Sequence, residues 1–417
     1  MQNNISIQGI TEAKALQVNV LLPASKSISN RLLLINALAG NALNLQNLST
    51  ANDTQLLIKI FGSHRSNINQ PIQEINCEDA GTVMRFLTAY FTTQQGQWVL
   101  KGSGKMHHRP IAVLVDKLRE LGADIRYLIN DGFPPLLIKG KILHGGNIAI
   151  DASISSQYIS ALILIAPYLN GGLEIELEGK IASKPYIEMT VGLMQQCGVD
   201  AQFEGNKISI PQAKYTATTL VVESDWSAAS YWYAFAALAK DSTITLAGLQ
   251  QNSLQGDSMV ANWMQGFGVN TSYTSAGVQL TSSLPSITNF EQDFSNSPDL
   301  APTFVCLCAA MGIPAKFYGL ETLAIKESNR TEALATELRK IGVDFSQKGD
   351  YWQLTPNAQL KEIVAPITFA TYLDHRMAMA FTMFSFVFPQ ITIENMEVVQ
   401  KSYPSFWADF EKIRNIG

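Results

Sequence analysis

The sequence has few residues of the kinds that hold metals or form disulfides: four cysteines and five histidines in 417 residues. The histidines are scattered, and only Cys306 and Cys308 lie close enough together to suggest a motif. Both belong to the apolar stretch 300–311, which predicts buried thiols rather than a metal pair. No metal-ligand spacing appears, so the sequence predicts no metal site. Such sparse thiols are typical of a reducing compartment.

The sequence also lacks an excess of positive charge and long apolar runs. Lys and Arg number 30 against 35 Asp and Glu, a net charge of −5, which excludes a bulk attraction to nucleic acid or to an anionic membrane. No apolar run approaches the ~18 to 20 residues of a membrane span, and the first residues show no signal-peptide pattern. We therefore expect a cytoplasmic protein with no nucleic-acid or membrane partner, in which local clusters of charge hold any anionic ligand.

The chain is long enough for more than one hydrophobic core, since 47% of its 417 residues are hydrophobic. One pattern recurs along it: an amphipathic helix, a glycine that ends the helix in the left-handed conformation, and then short strands. The pattern occurs at residues 114–121 before Gly122, 189–197 before Gly198, 259–267 before Gly268 and 333–341 before Gly342, with a weaker copy at 56–61 before Gly62.

A second set of predicted helices alternates with the first. These helices begin near Ser29, Gly81, Ser156, Ser227, Pro298 and His375. Together the two sets predict six repeats of roughly 70 residues, each reading helix, strand, helix, strand, strand. The sixth repeat stops after its last helix, 404–416, and the N-terminal strands 4–8 and 16–22 are the natural replacement for its missing strands.

This arrangement predicts an α/β protein whose chain crosses twice between two domains. Domain 1 comprises residues 1–22 and 224–417 (the N-terminal strands with repeats 4–6), and domain 2 comprises residues 23–223 (repeats 1–3). The alternative is a single α/β sheet with irregular loops.

Basic and hydroxyl residues cluster at the predicted helix starts. In the stretch 22–31 (LPASKSISNR), a turn at Pro23 leads into a helix that Ser27 or Ser29 can cap, beside Lys26 and Arg31. Helix amino ends carry partial positive charge, so several that converge can bind anions in an acidic protein. Eight cations occupy such positions: Lys26, Arg31, Arg85, Arg109, Lys326, Arg330, Arg376 and Lys401.

Two acids, Asp299 and Glu327, stand among these cations. Nearby cations lower the pKa of a carboxyl group and keep it ionised as a base, which makes both acids candidates for proton transfer. Taken singly, Asp299 could instead be a helix N-cap, and Glu327 could form a surface ion pair with Arg330.

Six motifs, in order along the chain, resemble those of the EPSP synthase (3-phosphoshikimate 1-carboxyvinyltransferase) family. They are residues 23–31 (PASKSISNR), 79–85 (DAGTVMR), 155–157 (SSQ), 183–186 (SKPY), 252–257 (NSLQGD) and 374–379 (DHRMAM). The resemblance covers almost the whole length. It implies two inside-out α/β domains of three βαβαββ units each, with the active site in the cleft between them.

The resemblance also implies a transferase of the shikimate pathway, which leads to chorismate and the aromatic amino acids. The enolpyruvyl group of phosphoenolpyruvate would pass to the 5-hydroxyl of shikimate 3-phosphate, with release of phosphate. The family implies no metal or organic cofactor, and we expect a monomer whose partners are these two small molecules.

The family motifs imply roles for individual residues. Asp299 would be the base at the 5-hydroxyl, while Glu327 and Lys26 handle protons at the enolpyruvyl carbon and the leaving oxygens. Shikimate 3-phosphate would contact Lys26, Ser27, Arg31, Ser155, Ser156, Gln157, Ser183, Tyr186, Asp299 and Lys326. Phosphoenolpyruvate would contact Lys26, Gly81, Arg109, Gln157, Arg330, Arg376 and Lys401. Further candidates are Asp79, Thr82, Arg85 and His375.

The chain departs from the family pattern at four positions. Asp79 stands where an Asn is expected, Thr322 replaces an Asn, Ala324 an Arg and Asn329 an Asp. Thr322 is therefore not counted among the ligands. The departures leave Lys326, Glu327 and Arg330 in place.

Two rival functions fit parts of the sequence. The sister enolpyruvyl transferase acts on UDP-linked N-acetylglucosamine and uses a loop cysteine shortly before the arginine matched by Arg109. Residues 105–108 read KMHH and contain no cysteine. A binding module without chemistry is the other rival, but Asp299 and Glu327 are both retained.

Overall fold

The computed structural model describes residues 3–10, 15–64, 72–239 and 241–414, which fold as a mixture of helices and strands. The α-helices are α1 (Lys26–Leu38), α2 (Asn52–His64), α3 (Gly81–Thr93), α4 (Ala112–Glu120), α5 (Ser156–Ile165), α6 (Lys184–Gln196), α7 (Trp226–Leu238), α8 (Val260–Trp263), α9 (Ala301–Met311), α10 (Arg330–Arg339), α11 (His375–Phe381) and α12 (Phe406–Arg414).

The strands are short, as is usual where each sheet is built from local hairpins and crossovers. They are β1 (Ile5–Gln8), β2 (Gln17–Leu21), β3 (Asn44–Gln46), β4 (Gln73–Asn76), β5 (Gly96–Lys101), β6 (Asp124–Tyr127), β7 (Leu136–Gly140), β8 (His144–Asp151), β9 (Asn170–Glu178), β10 (Gln202–Glu204), β11 (Lys207–Ile210), β12 (Thr219–Val221), β13 (Thr243–Ala247), β14 (Val269–Thr274), β15 (Gly277–Ser282), β16 (Phe290–Asp293), β17 (Ala315–Tyr318), β18 (Asp344–Lys348), β19 (Tyr351–Thr355), β20 (Ile367–Phe369) and β21 (Gln390–Ile393).

The chain forms two compact units. Ser25–Val222 is here called the central unit, and Met1–Ala24 together with Glu223–Gly417 is called the two-segment unit. That these units are two working domains with an active site between them stays a prediction.

The central unit contains two four-stranded sheets of the same design. One has the order β4-β5-β7-β6 and the other β10-β11-β9-β8. In each, two strands pair in parallel across an intervening helix, α3 or α5, and an antiparallel hairpin then joins the second of them. A short parallel pair, β3 with β12, completes the unit.

The two-segment unit repeats this design in the sheets β14-β15-β13-β2 and β16-β17-β19-β18. Its third sheet has the order β1-β21-β20, in which β20 and β21 are parallel across α11. The N-terminal strand β1 pairs antiparallel with β21, with Ile5 opposite Ile393. The strand β1 therefore holds the place that a hairpin strand holds in the four-stranded sheets, as predicted for residues 4–8. The prediction that residues 16–22 also complete the sixth repeat is wrong, because β2 pairs with β13.

Three helices, α5, α7 and α9, are almost wholly buried. Along α9 every residue from Ala301 to Ala310 is buried, and α5 and α7 are nearly as enclosed. A helix that is apolar on all sides belongs in a core. Because such helices cannot shift without disturbing close packing, they hold the residues at their amino ends in fixed positions.

Glycines in the left-handed conformation end three helices as predicted. Gly122, Gly198 and Gly342 follow α4, α6 and α10 with φ angles of 97°, 84° and 72°, and the prediction is confirmed for these helices. Gly268 also has a positive φ angle, 83°, but α8 ends at Trp263, so the predicted helix 259–267 is wrong in its extent. The weaker copy is wrong, because α2 continues through Gly62 to His64. Gly62 is exposed and nothing crowds its Cα, so the helix tolerates it at this position.

The structure agrees with two further predictions from composition. All four cysteines are buried and unbridged, including Cys306 and Cys308 on α9. Within the described ranges, no helix is both long enough and apolar enough to cross a membrane. The end of the predicted helix 404–416 lies outside the described residues.

Candidate active site

The central unit places Lys26 at the first position of α1. The cap of this helix is Ser25, whose Oγ accepts a hydrogen bond from the N–H of Ile28 at 3.4 Å. The prediction that Ser27 or Ser29 caps the helix is therefore wrong. Lys26 Nζ lies 3.4 Å from Asp53 in the first turn of α2, a carboxylate that is 8% exposed. Asp53 thus fixes the ammonium group, a role that sequence reasoning missed.

Arg31 lies one turn further along α1 and is 2% exposed. Its guanidinium donates to Thr190 Oγ1 (2.7 Å), the Ser27 carbonyl (3.0 Å), Ser160 Oγ (3.1 Å) and the Tyr186 carbonyl (3.4 Å), and it lies over the rings of Phe86 and Tyr186. No carboxylate of the described residues pairs with it, and burial lowers the pKa of Arg31 to about 10. Arg31 therefore carries a buried positive charge that no internal anion balances.

Two further guanidinium groups lie against Gly81, the first residue of α3. A methyl group at Gly81 would stand 2.6 Å from Arg85 Nη1 and 2.7 Å from Arg109 Nη1. Arg85 donates to the carbonyls of Gly81 (2.9 Å) and Pro110 (3.4 Å). Arg109 Nε is buried and has no hydrogen-bond partner in the described part of the chain. The bare Cα of Gly81 is thus what allows both cations to approach the start of α3.

Among the remaining predicted residues of the central unit, Ser27 lies in α1 and Thr82 in α3, and the others except Asp79 lie at the starts of α5 and α6. Ser155 caps α5 through the N–H of Gln157 at 3.3 Å. Ser183 precedes α6 with a φ of 55°, and its hydroxyl makes no capping bond to the helix. Asp79 is exposed and bonds to Ser103 Oγ.

The two-segment unit is organised around Arg330, the first residue of α10, which is 1% exposed. Its guanidinium reaches three carboxylates: Asp374 Oδ2 from Nε at 2.8 Å, Asp299 Oδ1 from Nη1 at 2.9 Å and Glu327 Oε2 from Nη2 at 2.9 Å. Burial alone would lower the pKa of Arg330, but these three anions raise it above its ordinary value. The arginine is thus permanently charged and fixes three acids in one place.

Asp299 lies in the 3₁₀ turn Pro298–Leu300 and is 17% exposed. Its side chain does not cap a helix, so the N-cap interpretation is wrong. Besides Arg330, it accepts from Arg376 Nη2 at 2.8 Å and lies 3.8 Å from Lys326 Nζ. Burial would raise its pKa, but Arg376, Lys326 and Arg330 together hold the pKa well below the usual range. Asp299 is therefore an ionised carboxylate in a partly enclosed position.

Glu327 and Lys401 complete this cluster. Glu327 Oε1 lies 3.7 Å from Lys401 Nζ, and each side chain is 17% exposed. Burial lowers the pKa of Lys326 despite the opposing effect of Asp299. The structure therefore brings together the two acids and all four cations that the sequence predicts in this unit.

The start of α11 holds Arg376 in this cluster. Asp374 is fully buried and caps the helix by accepting the N–H of Arg376 at 2.9 Å, and it also accepts from Arg330 Nε at 2.8 Å and from Ser328 Oγ at 3.1 Å. His375 is 1% exposed, and its Nδ1 lies 3.5 Å from Asp374. Asp374 stands in the motif 374–379, but sequence reasoning did not assign it a role.

A third missed acid is Asp257, in the 3₁₀ turn Gly256–Met259. It is 3% exposed and accepts a hydrogen bond from Ser227 Oγ, which in turn lies 3.4 Å from Arg376 Nη2. Burial, with a smaller contribution from Asp299, raises the pKa of Asp257 to about 7. The position of Asp257 in the motif 252–257 is the feature of the sequence that could have identified it.

The cations occupy helix starts less uniformly than predicted. Arg330 and Arg376 lie in first turns, as does Lys26. Arg109 precedes α4 in an extended segment, and Lys326 lies between a 3₁₀ turn and α10. Lys401 ends the 3₁₀ helix Met396–Lys401 instead of beginning a helix. The prediction that all eight cations stand at helix amino ends is wrong for these residues.

The match of the chain to known proteins spans both of these groups of residues. A sequence model described as EPSP synthase (3-phosphoshikimate 1-carboxyvinyltransferase) matches residues 10–410. The chain belongs to the EPSP synthase family. The resemblance inferred from six motifs is confirmed.

Two relatives illustrate how far the EPSP synthase likeness extends. A Bacteroides fragilis (strain YCH46) protein named 3-phosphoshikimate 1-carboxyvinyltransferase is 43% identical over 95% of each chain. A Sulfurovum sp. (strain NBC37-1) protein of the same name is 35% identical over 99% of each chain.

The solved structure of EPSP synthase from Acinetobacter baumannii matches with a TM-score of 0.79 at 21% identity, over 99% of this chain and 98% of that one. Such a match establishes the fold alone. The mixed α/β fold is therefore confirmed.

Proposed function

We propose that this protein transfers the enolpyruvyl group of phosphoenolpyruvate to the 5-hydroxyl of shikimate 3-phosphate and releases phosphate. The hydroxyl oxygen would form a bond to C2 of phosphoenolpyruvate as the hydroxyl loses its proton, and C3 would gain a proton. The bond from C2 to the phosphate oxygen would then break, and C3 would return a proton to give the vinyl ether. This reaction is a step of the shikimate pathway toward chorismate and aromatic amino acids.

The observation that carries the proposal is the state of Asp299. An enzyme for this reaction needs a base that is ionised at neutral pH and held at a fixed position. Asp299 is held by Arg330 at 2.9 Å and Arg376 at 2.8 Å, and these cations keep its pKa low. It retains 17% exposure, so a hydroxyl group can reach it.

Glu327 would exchange the proton at C3, with Lys26 acting at the leaving oxygens. Glu327 bonds to Arg330 at 2.9 Å and lies 3.7 Å from Lys401, and both of these cations are assigned to phosphoenolpyruvate. A carboxylate that touches cations binding the substrate is well placed to meet the substrate's carbon atoms. The charge of these cations also stabilises the negative charge that develops on the departing phosphate.

We assign the substrates as the family motifs suggest. Shikimate 3-phosphate would contact Lys26, Ser27, Arg31, Ser155, Ser156, Gln157, Ser183, Tyr186, Asp299 and Lys326. Phosphoenolpyruvate would contact Lys26, Gly81, Arg109, Gln157, Arg330, Arg376 and Lys401. The unbalanced charge of Arg31 and the unpartnered Nε of Arg109 support anion binding by the central unit.

The finer description of the fold is part of this proposal. Four sheets share one strand order and one pattern of parallel and antiparallel pairs, which supports six βαβαββ units in two inside-out domains. We also propose that the protein acts in the cytoplasm as a monomer.

A coupled assay of phosphate release tests the proposal. Purified protein with both substrates should release phosphate, and omission of either substrate should abolish the release. Tight binding of shikimate 3-phosphate without release would favour a binding module. Release with UDP-N-acetylglucosamine in its place would favour the sister transferase.

A further inference from the structure

The turn before α11 has an unusual backbone. Tyr372 and Leu373 have φ angles of 55° and 57°, so two consecutive residues other than glycine adopt the left-handed conformation. Bulky L-residues rarely do so, and Leu373 has no polar atom with which to stabilise it. The turn leads directly into Asp374 and Arg376. Strained backbone of this kind persists only where surrounding contacts hold it.

Glu337 on α10 supplies those contacts. Its side chain is 1% exposed. Oε1 accepts from the hydroxyl of Tyr372 at 2.9 Å, and Oε2 accepts from the N–H of Ala370 at 3.0 Å. Lys340 Nζ, 2.6 Å from the same carboxylate, also donates to the carbonyl of Thr368 at 3.0 Å. The residues that precede the left-handed pair are thus bonded to α10.

The same helix holds the residue that follows the turn. Arg330 and Glu337 are seven residues apart, which places them on one face of α10 about 10 Å from each other. Arg330 bonds to Asp374 at 2.8 Å, and Glu337 bonds to Ala370 and Tyr372. One helix therefore fixes both ends of the strained turn with opposite charges.

We propose that Glu337 is a positioning residue for phosphoenolpyruvate, because it holds the left-handed turn that sets the place of Arg376. The inference rests on the proposed function, in which Arg376 binds that substrate. Glu337 itself touches neither substrate, so its loss acts through the turn.

Replacement of the Glu337 carboxylate distinguishes a positioning role from a general effect on folding. Glu337→Ala should raise the KM for phosphoenolpyruvate about tenfold, with kcat and the KM for shikimate 3-phosphate changed less than about threefold. A purely structural loss would lower the amount of active enzyme and leave both KM values unchanged. Glu332→Ala is the matched control, since Glu332 is an exposed acid on the same helix.

A second substitution should rescue the first. Asn tolerates the left-handed conformation better than Leu, so Leu373→Asn lowers the cost of the turn. In the Glu337→Ala background it should recover most of the lost phosphoenolpyruvate affinity. A KM for phosphoenolpyruvate within twofold of wild type in Glu337→Ala would overturn the inference, and so would a double variant that recovers nothing.

Two further measurements keep the inference testable if Glu337→Ala fails to fold or if the wild type lacks turnover. Tyr372→Phe removes one bond and should raise the same KM about threefold; no change there would contradict the role. A wild type without phosphate release would refute the proposed function instead. In that case amide hydrogen exchange at residues 370–376 tests whether Glu337 holds the turn. Tyr372→Phe should accelerate this exchange, and Glu332→Ala should not. Unchanged exchange in Tyr372→Phe would overturn the inference.

Discussion

Arg31 of the central unit and Arg330 of the two-segment unit are held in different ways. In the central unit, the bonds of Arg31 go to hydroxyl and carbonyl oxygens, and aromatic rings cover its guanidinium. In the two-segment unit, Arg330 touches three carboxylates, and two of those carboxylates reach further cations. Both arginines are almost completely buried.

Because of this difference, we expect the two arginines to have different functions. A buried cation without an internal anion attracts an external one, because the ligand supplies the missing charge. A buried cation among three carboxylates is already balanced, and its effect is to keep those acids ionised and fixed. We therefore expect the central unit to bind anions and the two-segment unit also to hold acids for proton transfer.

Replacement of the proposed base should have the largest effect. Asp299→Asn preserves shape but cannot accept the hydroxyl proton, so kcat should fall by about three to four orders of magnitude. Steady-state phosphate release measures it. Asp350→Asn, at an exposed acid in the loop between β18 and β19, is the control and should leave kcat unchanged. A near-normal kcat for Asp299→Asn would break the assignment of proton transfer to the two-segment unit.

Removal of the two buried arginines should affect stability in opposite ways. Arg330→Met leaves three carboxylates without their shared partner and should lower the free energy of unfolding by about 4 kcal/mol. Arg31→Met removes a cation that pairs with no carboxylate among the described residues, so stability should stay equal or rise. Urea unfolding of both variants measures this contrast. An equal loss of unfolding free energy in the two variants would show that both arginines are structural. It would contradict the distinction between the two units.

The stability of the folded protein should depend on pH because of the buried carboxyl group of Asp257. The folded protein holds its pKa at about 7 against an ordinary value of 3.8. The protonated carboxyl therefore favours folding at low pH, and this contribution is lost as pH rises through about 7. Relative to Asp257→Asn, the wild type should lose on the order of 3 kcal/mol between about pH 4 and about pH 7. Parallel stability profiles for the two proteins would contradict the burial of an unbalanced acid beside Asp299.

Gly81→Ala, which adds a methyl group, should have a smaller effect than the substitutions of Asp299, Arg330 and Asp257. The Cβ of Gly81→Ala would lie within 2.7 Å of two guanidinium nitrogens, and flexible side chains such as Arg85 and Arg109 can retreat. The KM for phosphoenolpyruvate should therefore rise about tenfold while kcat changes little. Gly104→Ala is the control, since a Cβ there meets nothing within 4 Å. An unchanged KM in Gly81→Ala would remove this cation pair from the substrate site.

Sequence reasoning predicted the features of the site that depend on short motifs and local periodicity. Lys26, Gly81, Ser156 and His375 lie at or next to helix starts because small polar residues and glycine end the preceding segment there. The alternation of helices and strands predicted an α/β fold because 3.6-residue and two-residue periods are read directly from the chain.

Features that depend on tertiary contacts were not predictable from local pattern. Asp257 is linked through Ser227 to Arg376, and Asp374 bonds to Arg330. Each arginine lies far along the sequence from the acid that it is linked to. The left-handed turn at Leu373 contradicts local preference, and we propose that the bonds of Glu337 hold it. The predicted helix 259–267 is largely replaced by a 3₁₀ turn and the short α8, because periodicity cannot tell a long helix from successive short turns.

The division of work between the units is tested most directly by paired measurements on Arg31→Met and Asp299→Asn. Calorimetric titration with shikimate 3-phosphate gives Kd, and phosphate release gives kcat for each variant. Arg31→Met should weaken binding about 100-fold, whereas Asp299→Asn should bind within about threefold of wild type and lose nearly all turnover. If Asp299→Asn loses as much affinity as Arg31→Met, the acid anchors the substrate instead of moving its proton, and the distinction between the two units fails.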